Sequence, residues 1–97
     1  VRSTETTVAR GRLYRKGSDR PRAAEALRSG TALRLGAALG LPPGASRGDV
    51  IAAVAQASGI VPATVDALLY GPPPSSDRAL ATLAVQLDQL ESEVHSA

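Results

Sequence analysis

The sequence predicts an all-α fold: a compact bundle of about four helices behind an extended, basic N-terminal arm. Two observations carry this reading. Apolar residues recur at helical spacing in four separate stretches, and no segment alternates with the period of two that a half-buried strand shows. Each stretch is bounded by strong punctuation, at Gly40-Leu41-Pro42-Pro43, Gly59-Ile60-Val61-Pro62 and Gly71-Pro72-Pro73-Pro74, which stops helices and keeps the connections short. Short connections between helices favour neighbours that pack as a bundle.

The first helix is expected over about 20–39. Ser18 or Asp19 can cap it, and Pro21 falls in the first turn, where its missing N–H costs nothing. Ala24, Leu27, Thr31, Leu35, Ala38 and Leu39 make one apolar stripe, with Leu33 beside it. The second helix, 47–58, opens on Ser46-Arg47-Gly48-Asp49, a capping-box spacing with Asp in place of Glu. It turns Val50, Ile51, Val54 and Ala57 inward and ends at Gly59. A short third helix, 62–70, opens on Pro62 and buries Val65, Leu68 and Leu69. The fourth, 77–95, is capped by Ser75 or Ser76. Its Leu80, Leu83, Leu87, Leu90 and Val94 repeat at the a/d spacing of a coiled coil. The stripe is shorter than the three or four heptads that mark a coiled coil, so packing inside one chain is favoured over pairing of two chains, and a monomer over a homodimer.

A chain of 97 residues makes one domain with a modest core. Phe, Trp, Met and Cys are absent, and Tyr14 and Tyr70 are the only aromatics. The interior must therefore be built from Leu, Val, Ile and Ala, with close helix packing offsetting small side chains. Without Cys there is no disulfide and no thiolate metal site. A complete reading frame ordinarily opens with Met, so Val1 is expected to follow further sequence of a longer protein.

Charge is distributed unevenly. Of 11 Lys and Arg residues, 9 precede position 35, opposed there only by Glu5, Asp19 and Glu25. The arm, 1–17, carries Arg10, Arg12, Arg15 and Lys16 as candidate contacts to an anionic surface, with the helical domain occupying 18–97. Phosphate neutralisation needs only such cations, and so does the cytoplasmic face of a membrane, where basic residues gather beside a span. A solvated tail accounts for the same charges. No apolar run reaches the roughly 20 residues of a membrane span. On the last helix Asp88, Glu91 and Glu93 form an acidic face, a candidate surface for a basic protein partner.

The segment 50–70 resembles the helix-turn-helix of lactose-repressor-class DNA-binding proteins. Ala55, Gly59, Ile60, Thr64 and Val65 stand where that motif has its small residue, turn, plug and Thr-Val pair. The second helix of the motif nevertheless lacks Arg, Lys, Asn or Gln to read base edges, and its one charge, Asp66, repels phosphate. A structural helical corner is the stronger reading, and nucleic-acid binding through this segment and the basic arm is the alternative. His95 and Glu91 are two potential metal ligands without a third. No nucleophile–base–orienter set and no phosphate-binding glycine motif is present. A non-enzymatic domain with no cofactor is expected.

Four stretches, Ser3-Thr4-Glu5-Thr6-Thr7, Gly11-Arg12-Leu13-Tyr14-Arg15, Leu39-Gly40-Leu41-Pro42 and Leu68-Leu69-Tyr70-Gly71-Pro72-Pro73, precede a last helix containing Leu90-Glu91-Ser92-Glu93-Val94. In this order they resemble the C-terminal cytoplasmic region of an actinobacterial two-span membrane protein family. Its members carry an uncharacterised amidotransferase-like domain between the spans and are encoded beside MoxR-type AAA+ ATPases. The resemblance implies a position at the cell membrane with this fragment on the cytoplasmic side. The basic arm then lies just after the second span. It also implies an adaptor role, with a MoxR-type ATPase as partner; no catalytic residue is implied.

Overall fold

The computed structural model describes residues 2–96, with side chains described from residue 19 onward. Four helices make up the fold: α1 Arg2–Ala38, α2 Arg47–Ser58, α3 Pro62–Tyr70 and α4 Asp77–Ser96. There is no strand among the described residues.

Helix α1 begins at Arg2, whereas the sequence predicts an extended arm over 1–17 and a helix from about Arg20. The arm lacks an apolar period, but Ala9, Arg10, Arg12, Leu13, Arg15 and Lys16 are good helix formers. The isolated Gly11 and Gly17 each cost only about 1 kcal/mol. Pro21 consequently lies inside the helix rather than in its first turn, where it removes one bond of the ladder.

Apart from the start of α1, where Ser18 and Asp19 fall inside the helix instead of capping it, the helix ends follow their predicted chemistry. At the end of α1, Leu41 N donates to Gly36 O at 2.8 Å and Gly40 N to Ala37 O at 3.2 Å, the paired bonds of a Schellman motif. Gly40 sits there at φ 77°, a left-handed conformation suited to glycine. Ser46 Oγ caps α2 by accepting from Asp49 N at 3.1 Å. Gly59, also at φ 77°, closes that helix by donating to Ala55 O. Pro62 opens α3. Of the two serines before α4, Ser76 is the one that caps, accepting from Ala79 N at 3.0 Å.

Packing is between all four helices, and the α1–α4 pairing is the most extensive. The core is Ala24 and Leu35 of α1, Val50 and Val54 of α2, Val65 and Leu69 of α3, and Leu83, Leu87, Leu90 and Val94 of α4. The coiled-coil-like stripe of α4 is thus spent inside the bundle, with Leu80 half-buried at its start. Each fully buried Leu contributes roughly 1.5–3 kcal/mol of transfer free energy. Among the described residues Thr31 is the buried polar one, 2% exposed, and its hydroxyl accepts from Arg34 Nη2 at 3.4 Å. One expectation fails on α1. Ala38 is exposed because the chain folds back at Gly40, so that Leu39 and Leu41 fill the edge of the core instead. Leu33 is 63% exposed, turned away from the core.

Candidate functional site

The face of α1 that carries Leu33 forms the floor of a groove of about 700 Å³. Ala24, Ser29, Ala32, Gly36 and Ala37 continue that floor. Their side chains are small, so α1 lies low between its neighbours. One wall is the α1–α2 connection, with Leu41, Pro42, Pro43 and Ala45, backed by Val50. The opposite wall is the end of α3 and the turn beyond it, with Leu69, Tyr70, Gly71 and Pro73. The prolines that stop the helices therefore also stiffen both rims. The lining is largely apolar, and its ionisable groups are Glu25, Arg28 and Tyr70.

Arg28 holds the α3 wall in place. Its Nε donates to Leu68 O at 2.9 Å, its Nη1 to Gly71 O at 2.7 Å and Pro72 O at 2.9 Å, and its Nη2 to Ala67 O at 3.4 Å. Leu68 O is a carbonyl of the α3 end whose next donor position is Pro72, which has no N–H; Gly71 O and Pro72 O belong to the turn beyond the helix, and Ala67 O also accepts from Gly71 N at 3.2 Å. A cation at a helix C-terminus also complements the helix dipole. Partial burial lowers the Arg28 pKa from its ordinary value. A side chain at Gly71 would collide with Ala67 O and crowd Arg28 Nη2, so the clamp depends on glycine at that position.

Three other arginines are engaged in ion pairs. Arg34 grips Glu91 in a bidentate pair between α1 and α4, Nη2–Oε1 2.7 Å and Nε–Oε2 3.0 Å. The hydrogen bond from Arg34 holds the Glu91 carboxyl below the ordinary glutamate pKa, against the opposing effect of burial, and His95 adds a small favourable field. Arg20 joins Asp77 at 3.1 Å and Ser75 O at 3.4 Å, tying α1 to the start of α4. Arg47 Nε meets Asp66 Oδ1 at 3.0 Å, and its guanidinium stacks 5.0 Å from the centroid of the Tyr70 ring. Burial raises the Tyr70 pKa, and Arg47 pulls it partly back.

These placements sort the residues singled out from sequence. Glu91 is half-buried and taken up by Arg34, while Asp88 and Glu93 are exposed on α4. Arg10, Arg12, Arg15 and Lys16 lie on the N-terminal part of α1, outside the residues whose side chains are described. The helix-turn-helix-like corner does form, with Gly59 turning the chain and Ile60 half-buried in the angle. Its outward side presents Pro62, Ala63, Thr64 and Ala67, and Asp66 is occupied by Arg47. Sequence reasoning missed the groove and the Arg28 clamp. Arg28 counted there as one more basic residue, and no local pattern links it to a turn forty residues downstream. The one available signal was Leu33, an apolar residue off the core stripe.

No helix among the described residues is long and apolar enough to cross a membrane, and no group of three or more His, Cys, Asp or Glu among them is placed to hold a metal ion. Compared with known proteins, the chain matches no protein-family model and no solved structure. It is 44% identical over 94 residues to the uncharacterized membrane protein Rv3691 of Mycobacterium tuberculosis, a match covering 97% of this chain. The chain spans about a quarter of the length of that relative, 25%. By sequence, then, this helical domain is the homologue of one segment of an actinobacterial membrane protein.

Proposed function

We propose that this chain is a non-enzymatic interaction domain of a larger membrane protein, placed on the cytoplasmic side, where it docks a protein partner. The observation that carries the reading is the open, largely apolar groove between α1, the Pro42-Pro43 connection and the end of α3. A monomeric domain with a small core has little apolar surface to spare. Leaving Leu33 in water beside a preformed groove is what a docking surface looks like before its partner arrives. The similarity to a protein named for the membrane supports the membrane setting. The basic residues Arg10, Arg12, Arg15 and Lys16 would meet anionic headgroups, each contributing about 1 kcal/mol near the surface.

A MoxR-type AAA+ ATPase is the partner that the family resemblance suggests. The test is a binding titration of the domain against the purified ATPase encoded beside its parent gene, with wild type and Leu33→Glu in parallel. Saturable binding that Leu33→Glu weakens by tenfold or more (about 1.4 kcal/mol) is the expected result. Absence of binding at concentrations near 100 µM removes that ATPase as the partner of the isolated domain.

A further inference from the structure

The groove constrains what can occupy it. Its floor is a helix whose backbone amides are bonded within α1, and its rims at Pro42, Pro43 and Pro73 have no N–H to offer. The carbonyls of Gly71 and Pro72 are already taken by Arg28. An extended peptide laid along these walls finds no ladder to join and would bury its own polar backbone unpaired. A helix brings its backbone bonds with it. The small residues Ser29 and Ala32 let a second helix axis come close to α1.

Arg28 adds a charge requirement. Arg20, Arg34 and Arg47 each have a carboxylate partner. Arg28, which lines the groove, is bonded to carbonyl oxygens, and no ion pair compensates it among the described residues. Carbonyl dipoles satisfy its donors without cancelling its unit charge, and one Nη2 hydrogen is left over. Glu25 lies one turn earlier on α1 and forms no ion pair with Arg28. It therefore biases where along the groove an incoming carboxylate can sit.

We infer that the groove takes a single amphipathic helix of a protein partner, with apolar side chains seated on the α1 floor and one Asp or Glu directed at Arg28. The inference rests on the docking reading above and adds the chemistry of the partner.

The experiment is a selection from a library of amphipathic helices displayed on a fixed helical scaffold, against the wild-type domain, with folded Leu33→Glu for counter-selection. The expected binders share an Asp or Glu at one position relative to two or more apolar anchors. Changing that acid to Gln in the peptide, which leaves the domain untouched, weakens binding about tenfold. Glu25→Gln in the domain strengthens it by about twofold. Amide shifts on binding fall within residues 24–45 and 69–73. A selection that yields no helix dependent on Leu33, or helices indifferent to acid-to-Gln exchange, overturns the inference. So does an oleate titration that saturates the groove while no helix is selected, because the occupant is then a lipid-like anion. If the ATPase binds wild type and Leu33→Glu equally, the groove inference falls while the adaptor reading stands. If acidic helices are selected as described but the ATPase does not bind, the inference holds and that partner is excluded.

Discussion

The Arg28 guanidinium reaches across from α1 to the Gly71 carbonyl at 2.7 Å, and this contact ties down one wall of the groove. It fixes the end of α3 against the C-terminal half of α1. The same side chain thus stabilises the fold and shapes the surface that the fold presents.

Arg28→Ala is expected to destabilise the domain by about 2–4 kcal/mol, since it leaves several carbonyls without a charged donor. Arg28→Lys should recover only part of that, because an ammonium cannot span the same set of acceptors. Urea unfolding followed by circular dichroism measures both. Equal stability of wild type and Arg28→Ala would show that water serves these carbonyls as well.

Removing buried leucines from the α1–α4 seam should cost far more than trimming exposed residues. Leu87→Ala and Leu90→Ala, at positions 2% and 1% exposed, are expected to lose about 2–5 kcal/mol each. Val85→Ala, at a position 57% exposed, should stay within about 0.5 kcal/mol of wild type. The same unfolding assay distinguishes them.

Stability should depend on pH through Glu91. Its folded pKa is lowered below the ordinary 4.5, chiefly by the hydrogen bond from Arg34. The ion pair therefore contributes fully above that ordinary value and is lost as pH falls through the lowered one. Glu91→Gln should remove this component of the acid sensitivity and cost up to about 1 kcal/mol at neutral pH. Thermal unfolding of both proteins between pH 7 and about pH 2 reads the difference, and parallel curves across the acid range would contradict the assignment.

Two glycines should behave differently. Gly59→Ala meets no neighbouring atom and is strained only by its φ of 77°, a cost of about 1–2 kcal/mol. Gly71→Ala forces its new methyl into Ala67 O beside the Arg28 clamp and should destabilise more, about 2–3 kcal/mol. Comparing their unfolding midpoints checks the order.

Much of this architecture was legible in the sequence because its signals are local. The Gly40, Gly59 and Gly71 stops, the Ser46 and Ser76 caps and the heptad stripe of α4 each act over a turn or two of helix, and the structure keeps them. The start of α1 was not legible, because a basic segment without an apolar period offers no contrast between helix and coil beyond weak propensity. The groove was less legible still. It arises where α1, the Pro42-Pro43 connection and the end of α3 converge, and its key contact joins residues 28 and 71, which no periodicity relates. Likewise, Glu91 read as part of an acidic outer face until the helix rotation placed it against Arg34.

The most direct test of the central claim, that the groove is a protein-docking surface, is a backbone amide NMR titration of the domain with the neighbouring MoxR-type ATPase. Localised shifts or broadening are expected at Ser29, Ala32, Leu33, Gly36 and Gly71, which lie along the groove, together with their loss in Leu33→Glu. Shifts confined to Asp88 and Glu93 on α4, with the groove silent, would contradict the claim and move the docking surface to the acidic side of the bundle.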